Sequence, residues 1–396
     1  MKSATAVKIG RLGAFVAITF LNTALILGVV YVVFGNALTN RRPVGIPTAN
    51  SQSLPTVVRE YGWDRVARAY PGWSADDLTL LLAERDLTAV PVYEAFTQHR
   101  PRAMRGRFTN VSPAGFRAIE DQGPWPPDPG AFNVFLFGGS TAFGIALPDN
   151  QTIASFLQQR ANQAGCTRRV QVYNFGRPTY FSSQERILFE QLLLTGTAPR
   201  VAVFLDGLND FILPDGLPYL TSHLTDSLDA EAQALGGRRG DLGLDVEFLP
   251  NLPIGRSAAT PSGDGASQTA VLREVVARWL ANRKLIEAIG QELGVQTVFV
   301  WQPVPVYHYD LSYHNFHTEL SSFPEQVQPV RDGYELMSQT RSTTDLGNNF
   351  LWLADLQQGR RENLYVDSIH YAAPFSSEIA ESILRFLRDQ RFVPCA

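Results

Sequence analysis

Two distant places in the sequence carry residues of the types and spacing that acyl transfer requires. Ser140 follows Gly138 and Gly139, which end a short apolar run, and such a turn exposes a nucleophile before a helix. His370 lies three residues after Asp367, a spacing that allows a carboxylate to orient an imidazole. The pattern predicts Ser140 as the nucleophile, His370 as the general base and Asp367 as the residue that orients the base.

A serine nucleophile also needs hydrogen-bond donors directed at the oxyanion that forms on the attacked carbonyl. Candidates follow two further predicted strands, with Gly176 after the second and Asn209 after the third. We predict an oxyanion hole made of the backbone N–H groups of Ser140 and Gly176 and the side-chain amide of Asn209. Simpler interpretations remain open, with Ser140 as an ordinary turn residue and Asn209 and Asp210 as caps of the next helix.

The elements that must position these residues alternate between strand and helix patterns from residue 131 onward. The predicted strands are 133–137, 170–175, 201–205, 295–301 and 350–353, and the predicted helices are 151–163, 182–194, 271–293, 331–340 and 375–390. This alternation predicts a parallel sheet with helices on both faces. In such a sheet, functional side chains lie at the carboxyl ends of the strands, which is where the candidates fall.

In their order along the chain, four segments resemble the conserved blocks of the SGNH (GDSL-like) hydrolase superfamily. They are 138–141 (GGST), Gly176, 207–210 (GLND) and 367–370 (DSIH). The resemblance covers the chain from about residue 132 to the C-terminus. It implies a flavodoxin-like three-layer α/β/α fold and an active-site set made of the serine, glycine, asparagine and histidine of these blocks. Gly139 departs from the family pattern, which commonly has aspartate there.

The composition is ordinary for a globular protein, since 45% of the 396 residues are hydrophobic and 18% are charged. The formal charge of −4, without a basic stripe, argues against nucleic acid as a partner. No cysteine or histidine spacing typical of zinc is present, and we expect neither a metal nor an organic cofactor. Cys166 and Cys395 are the only cysteines; we predict a disulfide between them, with two unpaired thiols as the alternative.

The N-terminal region carries the pattern of a membrane anchor. Residues 12–34 contain no charged side chain, and at about 1.5 Å each they would span a hydrocarbon core of roughly 30 Å. Lys2, Lys8 and Arg11 precede the segment, which favours a single-pass topology with the catalytic domain outside the cytoplasm, periplasmic or extracellular. A cleaved signal peptide is the alternative, although its apolar region would be shorter.

We therefore expect three parts in the chain: a cytoplasmic tip with a transmembrane anchor (1–40), a linker with an N-terminal cap (41–130), and a catalytic domain (131–396). Two short helices are predicted in the cap, at 56–69 and 74–87. Within the catalytic domain, residues 214–268 are predicted to be an insertion that forms a surface flap. The histidine-rich stretch 307–317 is predicted to be a loop at the active-site mouth rather than a metal site.

These expectations describe a membrane-anchored serine esterase that acts through an acyl-serine intermediate on an O-acylated glycan or a small ester. An O-acyltransferase would use the same residues, with a sugar hydroxyl in place of water. A non-catalytic subunit of a membrane complex would use the domain only for binding. The expected partners are the ester-bearing substrate and, through residues 12–34, the membrane.

Overall fold

The computed structural model describes residues 54–221, 265–317 and 324–395. They belong to one compact unit that spans residues 54–396. The predicted anchor at 12–34 and most of the predicted insertion at 214–268 lie outside the described residues. Within the described part, no helix has the length and apolar character needed to cross a membrane.

The centre of the unit is a parallel sheet of five strands. The strands are β5 (Phe132–Gly138), β6 (Val170–Asn174), β7 (Val201–Asp206), β8 (Gln296–Trp301) and β9 (Phe350–Trp352). Their spatial order is β6-β5-β7-β8-β9, and every neighbouring pair is parallel. Every residue of β6 and β7 is buried, as expected for the mostly apolar strands of a sheet that is covered on both faces. The predicted parallel sheet is confirmed.

Helices cover both faces of this sheet and form two separate hydrophobic clusters with it. The packed helices are α5 (Ile153–Gln163), α6 (Ser182–Leu194), α8 (Gly265–Glu292), α9 (Pro324–Thr343) and α10 (Ala373–Asp389). Apolar residues of α5 and α10 pack in one cluster, and those of α6, α8 and α9 pack in the other. The result is a three-layer α/β/α arrangement, as expected.

The segment that precedes the sheet begins with three helices, α1 (Thr56–Tyr61), α2 (Trp63–Arg68) and α3 (Ala75–Thr88). The predicted helix 56–69 is divided at Gly62, whose φ of 80° interrupts the helical backbone. The start of α3 agrees with the prediction, because the Ser74 hydroxyl accepts a hydrogen bond from the Asp77 N–H at 3.1 Å.

Two antiparallel hairpins follow the helices, the first of them at residues 91–101. It pairs β1 (Pro91–Glu94) with β2 (Gln98–Pro101). The second pairs β3 (Met104–Arg105) with β4 (Asn110–Val111). After β4 the backbone of Arg117 bridges to Val111 on one side and to Asn174, at the end of β6, on the other. This bridge joins the N-terminal segment to the edge of the central sheet.

The bounds of three helices differ from their predicted positions. Helix α8 begins at Gly265 instead of residue 271, and α9 covers 324–343 instead of 331–340, with Pro329 inside it. A one-turn helix, α4 (Ser140–Phe143), starts at the candidate nucleophile itself, whereas the next helix is predicted only from residue 151. The serine is therefore held by a helical first turn, which the sequence interpretation placed in a loop.

The predicted disulfide between Cys166 and Cys395 is confirmed, with the two Cα atoms 3.9 Å apart. Cys166 follows α5 and Cys395 follows α10, and these two helices pack against each other. The bond therefore fastens the C-terminus to the sheet domain across a separation of 229 residues.

Removal of this bond should lower stability without changing the sheet. We expect Cys166→Ser to lower the free energy of unfolding by about 2–5 kcal/mol, because the cross-link restricts the unfolded chain. Urea denaturation of oxidised wild-type protein, Cys166→Ser and Cys395→Ser measures this effect. The two variants should agree, and a wild-type midpoint in both would contradict the prediction.

Candidate active site

His370 and Asp367 form the hydrogen-bonded pair that the sequence predicts. The imidazole Nδ1 lies 2.7 Å from Asp367 Oδ2 and 2.9 Å from Oδ1. Because a carboxylate can only accept, the proton lies on Nδ1 and the lone pair on Nε2. His370 Nε2 is buried and has no hydrogen-bond partner among the described residues. The ring is thus held in the tautomer in which Nε2 can take a proton from a nucleophile.

The surroundings of Asp367 keep its carboxylate ionised. Burial alone would raise its pKa, but the charge and hydrogen bond of His370, the guanidinium of Arg85 and the Ile369 N–H together hold the pKa well below its usual range. Arg85 Nη2 lies 3.6 Å from Oδ2. Arg85 belongs to α3, so the N-terminal segment contributes a charge directly to the candidate site.

Ser140 is the first residue of α4 and follows β5 after a single residue. The turn requires glycine at 138, where φ is 149° and an added Cβ would lie 2.6 Å from Ala142 Cβ and 2.9 Å from the Leu205 carbonyl oxygen. The backbone N–H groups at the start of a helix have no partner within the helix. The N–H of Ser140 therefore has no partner within α4, and its role as an oxyanion donor stays a prediction.

Gln302 brings the segments of the predicted nucleophile and base together. Its Oε1 accepts hydrogen bonds from the Thr141 hydroxyl at 2.6 Å and from the Tyr371 hydroxyl at 3.2 Å. Thr141 follows Ser140 in the chain and Tyr371 follows His370. One buried side-chain oxygen at the end of β8 thus ties the first turn of α4 to the residue after the histidine.

Asn209 lies in the short helix α7 (Leu208–Ile212), which follows β7, and its side chain reaches the nucleophile turn at Gly139. Its Nδ2 donates to the Tyr180 carbonyl oxygen at 2.6 Å, which leaves the second N–H of the amide for another acceptor. A Cβ added to Gly139 would lie 2.3 Å from this nitrogen. Glycine at 139, where the SGNH pattern commonly has aspartate, therefore leaves room for the Asn209 amide beside Ser140.

Gly176 does not match its predicted role in this structure. Its N–H donates to the Asn174 side-chain oxygen at 3.0 Å, so this donor is already engaged inside the protein. A Cβ at 176 would lie 2.4 Å from the Phe143 nitrogen, which shows that glycine is needed here for close packing against α4. The prediction of an oxyanion donor at Gly176 is corrected on this ground.

The β1–β2 hairpin holds the loop that follows Gly176. The Tyr180 hydroxyl donates to the His99 carbonyl oxygen at 2.5 Å, and the buried Arg177 guanidinium pairs with Glu94. Burial lowers the pKa of His99, whose Nε2 lies 3.1 Å from the Thr179 hydroxyl. The hairpin thereby fixes the Tyr180 carbonyl that positions the Asn209 amide.

Arg117 fixes the segment that leaves the nucleophile turn. It is fully buried, and its guanidinium donates to the carbonyl oxygens of Phe143, Gly144 and Leu147. Its Nε also donates to Asp149 Oδ1 at 3.2 Å. One cation therefore organises residues 143–149 directly after α4.

Three buried carboxyl groups form a cluster, on Glu185, Asp206 and Asp210, the last of which follows Asn209 in the chain. Burial raises the pKa of each, that of Asp206 to about 7, and repulsion from the neighbouring carboxylates adds to the rise at Glu185 and Asp206. The Ser182 hydroxyl donates to Asp210 at 2.6 Å and the Trp279 N–H donates to Asp206 at 3.0 Å. Asp206 and Asp210 thus have structural roles rather than catalytic or capping ones.

This cluster should make the protein less stable as the pH rises. The folded pKa values exceed those of the unfolded chain, near 4, so stability is fully present below pH 4 and falls as the pH approaches 7. Between the two pKa values, each carboxyl group that keeps its proton only in the folded state lowers the free energy of unfolding by about 1.4 kcal/mol per pH unit. Glu185→Gln should show a shallower decline and a higher unfolding midpoint than wild type at pH 8. Thermal unfolding from pH 4 to 8, with the exposed Glu60→Gln as control, measures this; identical slopes in wild type and Glu185→Gln would refute it.

The histidines of the 307–317 stretch have separate partners. His308 Nδ1 lies 2.7 Å from Asp355 Oδ1, and the His314 ring stacks on Tyr365 at 4.8 Å. No group of metal-ligating side chains was found among the described residues. Phe316 stacks edge-on against Tyr61 at 5.0 Å, and the Tyr61 hydroxyl lies 3.5 Å from the Ser368 hydroxyl. One end of the stretch therefore reaches the neighbourhood of His370.

The sequence interpretation missed Arg85, Gln302 and the loop-holding residues of the first hairpin. Each acts through a side-chain contact between segments far apart in the chain, for which a single sequence contains no local signal. Arg85 and Asp367, for example, lie on opposite sides of the whole central sheet along the chain, with all five of its strands between them.

Among known proteins, this chain is similar only to solved structures. Neither a protein-family model nor a curated protein matches the chain. An acetyl xylan esterase, AlAXEase, aligns at 12% identity over 64% of this chain and 98% of its own, with a TM-score of 0.35. A member of the lipolytic protein G-D-S-L family from Veillonella parvula DSM 2008 aligns at 12% identity over 64% and 97%, with a TM-score of 0.33. The psychrotrophic esterase EstA from Pseudoalteromonas sp. aligns at 10% identity over 66% and 98%, also with a TM-score of 0.33. Likenesses this weak carry no argument about activity, which rests on the site itself.

Proposed function

We propose that the chain is a serine ester hydrolase that acts through an acyl-serine intermediate. The observation that carries this proposal is the Asp367–His370 pair, whose unpartnered, buried Nε2 lies on a segment tied through Gln302 to the residue after Ser140. Nucleophile, base and orienting carboxylate are the three groups that acyl transfer from an ester requires.

In the acylation step, Ser140 Oγ attacks the acyl carbon while its proton passes to His370 Nε2. The negative charge that develops on the carbonyl oxygen is met by the Ser140 N–H and the free N–H of Asn209. The tetrahedral intermediate collapses as the C–O bond of the ester breaks, and the alcohol leaves with the proton from Nε2. Asp367 stays ionised throughout and stabilises the imidazolium.

In the deacylation step, water attacks the acyl-serine and gives a proton to Nε2. The bond to Ser140 Oγ then breaks, the proton returns to this oxygen, and the carboxylic acid leaves. A sugar hydroxyl in place of water would make the same site an O-acyltransferase. The site residues are the same in both reactions, so the acceptor decides between them.

Asn209→Ala should lower turnover while substrate binding changes little. The amide donates to a charge that develops only in the transition state, so its loss should reduce kcat by roughly 10²–10³-fold. Steady-state kinetics on p-nitrophenyl acetate separate kcat from KM. A raised KM with unchanged kcat would instead make Asn209 a contact of the ground-state substrate.

The substrate class we propose is an O-acylated, especially O-acetylated, glycan or a small ester, acted on outside the cytoplasm by a domain anchored through residues 12–34. The support for the compartment is the apolar N-terminal run, together with the Cys166–Cys395 disulfide of the sheet domain, which suits an oxidising environment.

An ester panel that varies the acyl chain and includes acetylated oligosaccharides, assayed with and without an acceptor sugar, tests this proposal. Release of free acid that does not depend on the acceptor supports a hydrolase. If adding the acceptor lowers the release of free acid and produces acylated acceptor, the result supports the transferase. No turnover of any ester supports a non-catalytic subunit.

A further inference from the structure

A groove of about 490 Å³ lies between the N-terminal segment and the residues that follow the nucleophile turn. Its volume falls within the roughly 300–1,000 Å³ usual for small-molecule sites. Six of the side chains that line it carry the argument: Trp73, Arg107, Phe108, Glu120, Asn150 and Gln151. We call it the Trp73 groove. None of these residues has a role in the acyl-transfer mechanism.

Two aromatic rings form part of its wall. The rings of Trp73 and Phe108 lie 5.1 Å apart at 57°, and the Tyr70 ring lies 6.1 Å from Trp73. Trp73 packs on the hydrophobic cluster of the cap and is only partly buried. The Arg107 guanidinium lies 4.9 Å from the centroid of the Phe108 ring, so Trp73 is the ring assigned to the ligand. Aromatic faces carry partial negative charge, to which the weakly positive C–H groups of a pyranose ring are complementary.

Polar side chains complete the lining. The structure gives the side chains of Glu120, Asn150 and Gln151 no hydrogen-bond partner among the described residues, so their carboxylate and amide groups are available to a ligand. Planar amides both donate and accept, and a carboxylate accepts, which matches the paired donor and acceptor capacity of sugar hydroxyls.

The charges in the groove favour a neutral ligand. The Arg107 guanidinium is paired with Asp77 at 2.5 Å, and Asp149 is paired with the buried Arg117. Glu120 is left as the one charged lining group without an ion-pair partner in the described structure, and it would repel an anionic polymer. Phosphate-bearing and uronic-acid chains are therefore disfavoured.

We propose that the Trp73 groove binds a neutral glycan chain, at a distance from the ester that Ser140 attacks. This inference rests on the proposed function, because a glycan held in the groove would present its acyl group to Ser140. The connection is physical: the groove residues 148–151 continue the segment that Arg117 fixes after α4, and the Tyr70 hydroxyl donates to the Ala146 carbonyl oxygen at 2.9 Å.

Binding is tested in the full chain carrying Ser140→Ala, so that no turnover occurs. Titration calorimetry uses xylohexaose, the β-1,4-linked N-acetylglucosamine hexamer and, as an anionic probe, a galacturonic acid hexamer. We expect at least one neutral hexamer to bind. Trp73→Ala should raise the Kd for that hexamer roughly tenfold or more. Tyr93→Ala, an exposed aromatic on the first hairpin, is the matched control and should bind as the parent does.

Asn150→Ala and Glu120→Gln provide variants at exposed positions that do not threaten folding, and each should weaken binding several-fold. Thermal unfolding of Trp73→Phe and Trp73→Ala shows whether any loss reflects misfolding. The proposal is overturned if neither neutral hexamer binds at millimolar concentration, if the anionic hexamer binds best, or if the groove variants and Tyr93→Ala behave alike. Fluorophosphonate labelling of Ser140 in the wild type tests the proposed function separately, so the two failures can be told apart.

Discussion

Ser140→Ala is expected to lower ester turnover by roughly 10⁴-fold or more, to the level left by substrate binding and oxyanion contacts alone. The change removes only the hydroxyl oxygen that would form the acyl bond. The half-buried Ser140 side chain supports little of the fold, so the unfolding midpoint should stay close to wild type. Hydrolysis of p-nitrophenyl acetate, followed with the purified full chain, measures the effect.

Ser342→Ala, at an exposed position in α9, is the matched control and should retain wild-type turnover. Wild-type activity in a folded Ser140→Ala protein would show that another nucleophile acts, and the mechanism would be wrong.

His370→Ala is expected to cost about as much as Ser140→Ala, because the serine hydroxyl is a weak nucleophile without a base to take its proton. The double variant should be no less active than either single variant, since residues that act as a unit give losses that do not add. Asp367→Asn should cost less, as the imidazole would remain but lose its orienting partner. The same assay, run for the three single variants and the double variant, tests this order.

His308→Ala is the control for loss of an imidazole, because His308 is partly exposed and bonded to Asp355. Losses for Ser140→Ala and His370→Ala that multiply in the double variant would mean that the two residues act independently.

The parts of the fold that followed from the sequence are those whose causes are local. Strands β5, β6, β7 and β8 are short apolar runs that only a sheet buried on both faces accommodates, and each was predicted within two residues of its bounds. The Asp367–His370 contact was predictable because three residues of a tight turn fix the distance between the side chains.

Other features depended on contacts that the sequence does not display. The β1–β2 hairpin turns at Phe96 and Gln98, which both have a φ of 68°, without the glycine or asparagine that usually signals such a turn. Helix α9 continues through Pro329, a residue that normally indicates a helix boundary.

Gly176 shows how a correct pattern can give a wrong role. It lies after a strand end, as an oxyanion donor would, but the Asn174 side chain turns back and accepts its N–H. Short amide side chains compete for nearby backbone groups in this way. Arg85 and Gln302 illustrate the opposite case, in which residues without a motif reach the site through folding alone.

The most direct test of the central claim is to trap the nucleophile. Wild-type protein is treated with a fluorophosphonate, digested and mapped by mass spectrometry, with Ser140→Ala and His370→Ala treated in parallel. The acyl-serine mechanism predicts one adduct, on the peptide that contains Ser140, absent in Ser140→Ala and formed far more slowly in His370→Ala. An adduct on another serine, or labelling unaffected by His370→Ala, would contradict the mechanism.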